Sequence, residues 1–150
     1  MATVIKIEGL KETLDSLAKF GDGLKDLTPF MKVAGLVILE SVQRNFIEGG
    51  RPAWTPLRPA TIKRRRGFGD VQILRDTGLL MNSLAPASPS VWRLEPLSVE
   101  VGTNVPYAGY HQLGIGVPER PFLMVQPEDE ETLMKVAQDE IIKKAKEAGL

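Results

Sequence analysis

The single histidine is the side chain in this sequence best suited to acid–base chemistry near neutral pH. His111 lies between Tyr110 and Gln112, and imidazole is the group that titrates closest to pH 7. Catalysis would need a partner for it, yet no serine has the G-x-S-x-G surroundings of a hydrolase and the chain has no cysteine. We therefore expect His111 to be a hydrogen-bonded structural or interface residue, and we expect no catalytic site.

The residue types present also argue against a metal or a cofactor. Without cysteine there is no thiolate site, and one histidine excludes any site that needs two imidazoles. The acidic residues 128–131 could bind Mg²⁺, but the helix dipole favours carboxylates at the start of a helix without any metal. Residues 67–70 lack the G-x-x-x-x-G-K pattern that would hold a phosphate. The sequence predicts no cofactor and no metal.

Charge is segregated along a chain that is neutral overall. Residues 51–78 carry seven basic and two acidic side chains, a net charge of +5, while residues 126–150 carry four and seven, a net charge of −3. A basic loop that also bears Trp54 and Phe68 could follow a phosphate backbone and stack a ring on a base. We favour a solvated loop, or one that contacts an acidic surface of another subunit, because one basic cluster in a neutral protein is weak support for nucleic-acid binding.

Length and composition indicate one folded domain. The 150 residues are enough for one core and too few for two of ordinary size, and 43% hydrophobic with 25% charged residues is typical of globular proteins. The longest apolar run, residues 33–39, is far short of the roughly 20 residues that span a bilayer. We expect a single domain over residues 1–150, made in a reducing cytoplasm and without a membrane partner.

Two long helices are predicted to position the loops that carry these side chains. Thr28 is a typical N-cap before Pro29, and apolar residues cover most of the helix circumference over residues 30–47, until Gly49 ends the helix. Residues 127–148 begin with acidic side chains and end with basic ones, as the helix dipole prefers. The first is predicted to be a central helix packed on more than one side, and the second a C-terminal helix.

Shorter elements are predicted between and before these helices. The β-branched residues 3–7 favour a strand, and leucines at helical spacing from residue 10 favour an amphipathic helix that ends near Gly21. Residues 49–78 are rich in glycine and proline, which predicts a long extended connection with few apolar anchors and a brief helical turn after Thr61. A short helix over residues 79–84 and another short helix or turn over residues 107–114 complete the predicted helical segments.

Period-two alternation predicts the sheet. Residues 90–95 and 97–102 alternate around Pro96 and read as an antiparallel hairpin. The side chains expected on its buried face are Trp92, Leu94, Val99 and Val101. The predicted fold is therefore α+β: a small antiparallel sheet, with this hairpin at its centre and the N-terminal strand at an edge, packed against the long central helix and the C-terminal helix.

Three stretches of the chain carry a resemblance to a known family. They are FIEGGRPAWTPLRPAT at residues 46–61, ILRDTGLLMNSL at residues 73–84, and VEVGTNVPYAGYHQLG from residue 99, which leads to PERPFL. The order T-G-x-L, V-G-T, Y-A-x-x-H-Q-x-G and R-P-F-L resembles the phage virion morphogenesis family, the tail completion proteins of Mu-like and P2-like tailed phages and prophages. Head-tail joining proteins of other siphophages share similar T-G-x-L and R-P-F-L features.

The resemblance implies a structural protein of the head-tail junction or tail end that acts in virion assembly as a ring of subunits and turns over no substrate. Its implied partners are other copies of itself and phage connector or tail proteins, first in the host bacterial cytoplasm and then in the virion. The alternative is a nucleic-acid-binding module that uses the basic loop 58–75.

Loop residues of types enriched at binding hot spots, together with the basic cluster, form the predicted partner interface. These residues are Trp54, Arg64, Arg65, Arg66, Tyr107, His111 and Arg120. The aromatic ones could instead close the core. We expect the basic cluster to contact an acidic partner ring or the acidic start of the C-terminal helix of a neighbouring subunit, because opposite charges on different segments suit head-to-tail contacts.

Overall fold

The computed structural model describes residues 10–65 and 71–150, which form six helices and one two-stranded sheet. The helices are α1 Leu10–Gly23, α2 Thr28–Glu48, α3 Pro59–Arg64, α4 Leu79–Asn82, α5 Ala108–Leu113 and α6 Pro127–Glu147; the strands are β1 Val91–Glu95 and β2 Ser98–Gly102. Two 21-residue helices beside a small antiparallel sheet confirm the α+β prediction. The predicted strand at residues 3–7 lies outside the described residues.

Helix α2 is packed on several sides, as its nearly continuous apolar surface predicted. It contacts α6 and both strands, and Leu39, Val42 and Phe46 along it are buried. The helix ends where Gly49 adopts the left-handed conformation, with a φ of 75°, and donates its N–H to the carbonyl of Asn45. Glycine takes this conformation without the steric cost that a Cβ would impose. The predicted end of the helix is confirmed.

The start of α2 differs from the prediction that Thr28 is its N-cap. Leu27 occupies that position, and Thr28 is already the first helical residue. The acceptor for the first backbone N–H of the helix is instead the side chain of Asp26. Its Oδ1 accepts hydrogen bonds from the backbone N–H of Thr28 (3.0 Å) and from the Thr28 hydroxyl. Both side chains are N-cap types, and the choice between them depends on where the chain turns into the helix.

The hairpin packs one face against α2. Trp92 pairs with Val101 and Leu94 with Val99, and these four side chains are half-buried while Arg93, Glu95, Ser98 and Glu100 on the other face are exposed. The predicted inward face is confirmed. Contact with the helix is close at Gly35, where a Cβ would stand 2.6 Å from Cζ3 of Trp92. Glycine at this position lets the indole lie against the helix backbone.

Segments far apart in sequence supply the core beneath these elements. Phe46 packs edge-on against Trp54, with ring centroids 5.7 Å apart, and lies 5.6 Å from the ring of Phe122. Leu80 and Leu84 from the α4 region complete the same cluster. The connection after α2 therefore contains a core residue, whereas the sequence predicted few apolar anchors there.

Helix α6 begins with a capping box. Gln126 is the N-cap, and its backbone N–H donates to Oδ2 of Asp129 (2.8 Å). This confirms the interpretation of the acidic run as the start of a helix. Within residues 10–65 and 71–150, none of the helices combines the length and apolar character that crossing a membrane requires.

Candidate functional site: a cationic groove

A groove of about 770 Å³ opens between the chain that follows Trp54, helix α3, the segment that leads into α4 and the loop after α5. Among the described residues, its basic and acidic lining side chains are three arginines, Arg58, Arg65 and Arg120, with His111, and one carboxylate, Asp76. Leucine, valine and proline side chains form much of the remaining wall. The groove thus combines an apolar wall with an excess of positive charge.

Arg120 holds one wall of the groove in place. The residue is only 5% exposed, and its guanidinium donates to the carbonyls of Thr55 (2.9 Å) and Pro56 (3.2 Å). Its backbone N–H donates to the carbonyl of His111 (2.8 Å). Burial, and then the nearby charge of Arg65, lower the pKa of Arg120 below its usual value. One residue therefore joins the chain after Trp54 to helix α5.

Two buried nitrogens beside Arg120 have no hydrogen-bond partner among the described residues. They are Nε of Arg65 and Nδ1 of His111. Nη1 of Arg65 lies 3.9 Å from the carboxylate of Asp76, and the ring of Tyr107 stands edge-on to the imidazole at 6.1 Å. An unpaired buried donor is costly, and an anion in the groove would satisfy it. The arrangement is suited to binding an anionic group.

His111 should make the stability of the folded chain depend on pH. Burial, followed by the charges of Arg120 and Arg65, lowers its pKa below the usual 6.5, so the unfolded chain takes up this proton at a higher pH than the folded chain does. Stability is therefore lost as pH falls below about 6.5. We expect His111→Gln to remove that component, so that between about pH 8 and pH 5 the stability of the wild type to urea falls more steeply than that of the variant. Parallel profiles for wild type and variant that both keep the acid-side loss would contradict this.

Gln112 connects helix α5 to the chain that closes the groove. Its Oε1 accepts hydrogen bonds from the backbone N–H groups of Phe122 (3.1 Å) and Leu123 (3.0 Å), and its Nε2 donates to the carbonyl of Leu123 (2.9 Å). The side chain thus pairs with the backbone much as a neighbouring strand would. The H-Q and R-P-F-L motifs therefore meet in one contact, to which each supplies half.

Gln112→Leu should lower the free energy of unfolding by about 1–3 kcal/mol, because it leaves three half-buried backbone groups without partners. Gln112→Glu is the matched control. It keeps an acceptor for both N–H groups and loses only the bond to the Leu123 carbonyl, so its loss should be smaller. Chemical denaturation of the three proteins measures this order, and a leucine variant as stable as wild type would contradict it.

A second polar network surrounds Arg51, immediately after α2. Its Nε donates to Oδ1 of Asn45 (2.8 Å), and its Nη2 donates to the carbonyl (2.7 Å) and hydroxyl (2.6 Å) of Ser41. Its Nη1 forms an ion pair with Glu128. Ser41 in turn donates to Asp129 (2.6 Å). Two of the four acidic residues at the start of α6 are therefore already engaged within the subunit.

Exposed aromatic and aliphatic side chains lie on helix α5 and the residues that flank it, next in sequence to residues that line the groove. Tyr110, Leu113 and Ile115 are each more than half exposed, Leu113 by 67%. Tyr107, which lines the groove, is 40% exposed. Tyrosine in particular is enriched at protein interfaces. These four residues are here named the α5 rim.

Four of the predicted interface residues meet at the groove: Arg65, Tyr107, His111 and Arg120. Arg64 is exposed on α3 and does not line the groove, and Arg66 lies outside the described residues. Trp54 is 6% exposed, and its indole N–H donates to the carbonyl of Pro121 (3.0 Å). Within the subunit Trp54 is therefore a core residue, the alternative that the sequence left open for the aromatics.

Two residues that matter to this region were not singled out from the sequence. Gln112 and Arg51 make their principal contacts with backbone or side chains 6 to 77 residues away. For Arg51, the available signal was the pair Ser41 and Asn45 at helical spacing on an otherwise apolar surface. Polar groups buried four residues apart on one helix face need a common partner.

Comparison with known proteins gives matches over most of the chain. The sequence profile of the phage virion morphogenesis family matches residues 5–141. The chain is 32% identical over 143 residues to "Mu-like prophage FluMu G protein 2" of Haemophilus influenzae, an alignment that covers 90% of this chain and 93% of that protein. No solved structure matches the chain.

Proposed function

Because this chain belongs to the phage virion morphogenesis family, and so has a role in the structure or assembly of a phage particle, we propose that it acts at the head-tail junction or the tail end. There it joins copies of itself into a ring that contacts connector or tail proteins, and it turns over no substrate. It passes from the host cytoplasm, where assembly occurs, into the virion.

The observation that carries this proposal is the α5 rim beside the cationic groove. Large apolar side chains that a lone subunit leaves in water mark protein contact sites when they are grouped and bordered by polar residues. Here they border a groove with three arginines. Apolar contact would supply affinity, while the charges would select an acidic partner and set its register.

Complementation with a double variant tests the assembly role. Leu113→Ser with Ile115→Ser changes two side chains that are more than half exposed, so the fold should keep its stability to within about 0.5 kcal/mol. Supplied to a phage or prophage that lacks this gene, the variant should give few infectious particles while free heads and tails accumulate. Leu97→Ser, at an equally exposed leucine in the hairpin turn, should complement fully. Full particle yield from the double variant would refute the role of the rim.

Nucleic-acid binding remains the second candidate because helix α3 and its N-cap present exposed cations: Arg58, Lys63 and Arg64. Such binding would weaken steeply with salt, since each neutralised phosphate releases counterions. Titration of the protein with a short duplex and a single strand at several salt concentrations measures this slope. Binding that is lost in Lys63→Ser with Arg64→Ser, together with lost particle yield, would favour nucleic acid over a protein partner for this segment.

A further inference from the structure

We propose that the cationic groove of one subunit receives the exposed first turns of helix α6 of a second copy of this chain. The contacting residues of that second copy, here named the α6 patch, are Glu130, Glu131, Met134, Lys135 and Gln138, which form one shallow surface. In this contact the carboxylate of Glu131 faces Arg65 and His111, and Met134 lies against the apolar wall. The inference rests on the proposed function, because it supplies the contact between neighbours in the ring.

The groove side of this contact has hydrogen-bonding capacity that the described residues leave unused. Nε of Arg65 and Nδ1 of His111 are buried and have no partner among the described residues. A carboxylate has two oxygens and can accept from both nitrogens at once, with the imidazole as its Nδ1–H tautomer. The ion pair between Arg65 and Asp76 does not provide an acceptor for Nε of Arg65, because it involves Nη1, which lies 3.9 Å from Oδ1 of Asp76.

The α6 patch contains the two exposed acidic residues at the start of α6 that the network around Arg51 does not engage. Glu128 is paired with Arg51, and Asp129 is buried in the capping box. Glu130 and Glu131 are exposed, and residues three and four apart on a helix share a face, which places Met134 beside both. The patch has two carboxylates against the one ammonium of Lys135, so its charge is opposite to that of the groove.

The apolar parts of the two surfaces are also matched. Leu57, Leu74 and Val117 line the groove, and Leu79 at its edge is 54% exposed. Met134 is 62% exposed, and an unbranched thioether adapts to an irregular apolar wall better than a branched side chain does. A contact that buried Met134 against Leu79 would remove two large apolar side chains from water.

This combination favours a second copy over a nucleic acid. A polynucleotide presents a phosphate at every step and would gain little from a leucine-lined wall that also carries Asp76. The groove and the α6 patch share no residue, so each subunit can use both at once. A contact between two different surfaces of the same chain is heterologous, and repetition of such a contact closes a ring when the rotation allows it.

Cysteine cross-linking tests the contact directly, because the natural chain has no cysteine. Leu79→Cys and Met134→Cys are made as separate single-cysteine proteins, mixed, and oxidised. Heterodimers should exceed both homodimers, which form only by random encounter. The control mixture replaces Leu79→Cys by Leu97→Cys, which is equally exposed and lies outside the groove. Separate proteins ensure that every cross-link joins two copies.

Charge reversal then tests the proposed pairing. Glu131→Arg, at an exposed position, should reduce the heterodimer yield about five- to tenfold, and Arg65→Glu on the groove partner should restore it. Melting temperatures verify that each variant is folded. If Arg65→Glu does not fold, Glu131→Gln replaces the rescue and should give an intermediate yield. A Glu131→Arg yield equal to wild type overturns the pairing.

The same variants are oxidised in particles purified from producing cells, so that a contact formed only on assembly is also detected. Heterodimers no more abundant than in the control mixture, both in solution and in particles, overturn the inference. If particles still form in that case, the assembly role stands and only this contact fails. Cross-links that no longer form when nuclease treatment precedes oxidation overturn it in favour of a nucleic acid in the groove.

Discussion

Phe46→Ala should lower the free energy of unfolding by about 3–5 kcal/mol. Phe46 is 1% exposed, and its ring contacts those of both Trp54 and Phe122. Truncation therefore loses the transfer free energy of the ring and leaves a cavity between two aromatic neighbours that come from different parts of the chain. A domain of this size has a total stability of about 5–15 kcal/mol, so the variant should be partly unfolded at physiological temperature.

Urea denaturation measures this loss as a lower urea concentration at the unfolding midpoint, with an unchanged dependence of the unfolding free energy on urea. Ile47→Ala is the matched control, because the next residue in the same helix is 61% exposed and its truncation should change stability by no more than about 0.5 kcal/mol. Equal effects at the two positions would mean that α2 does not present its Phe46 face to the core.

Arg51→Met should cost about 3 kcal/mol or more, although it removes a polar side chain and supplies an apolar one. The Arg51 side chain is 12% exposed, and its loss leaves the buried Asn45 and Ser41 without the donor that now satisfies them. Breaking a buried polar network by removing one member leaves the others desolvated and unpaired.

Arg51→Lys separates charge from geometry in this network. The ammonium keeps the positive charge but cannot donate along the several fixed directions of a guanidinium, so it should recover less than half of the loss. Glu128→Gln should matter far less, because that carboxylate is 49% exposed and exposed ion pairs contribute at most about 1 kcal/mol. A methionine variant as stable as wild type would show that the network does not hold α2 to α6.

Elements with a regular hydrophobic period could be predicted because their pattern is local. Within 20 residues or so, α6 and the hairpin each show which side faces the core, and α2 shows by its nearly continuous apolar surface that it is packed on several sides. The chain after α2 has no such period. Its glycines and prolines predicted that regular structure is absent, which is correct for residues 49–58, but they carry no information about Trp54, whose indole binds a carbonyl 67 residues away.

Residue type predicted several of the residues that line the candidate site, but it did not predict which of the selected residues are buried. Tyr107, His111 and Arg120 were selected as interface types and line the groove. Arg120 is nevertheless buried, and so is Trp54, which was selected on the same grounds. Long amphipathic side chains are equally suited to a hot spot and to a buried hydrogen-bonded position. Whether such a side chain is buried depends on the backbone groups within its reach. For Arg120 these are the carbonyls of Thr55 and Pro56.

The span of the core contacts also affects how the chain is made. Asn45 reaches its partner carbonyl at Phe122 across 77 residues, and a ribosome that adds about 5–20 residues per second needs roughly 4–15 s to synthesise that interval. During this time α2 has left the decoding centre while Phe122, which completes the cover of its Phe46 face, has not yet been translated. The apolar face of α2 is therefore exposed for seconds during synthesis of each subunit, and transient contact of α2 with another chain competes with correct folding until Phe122 emerges.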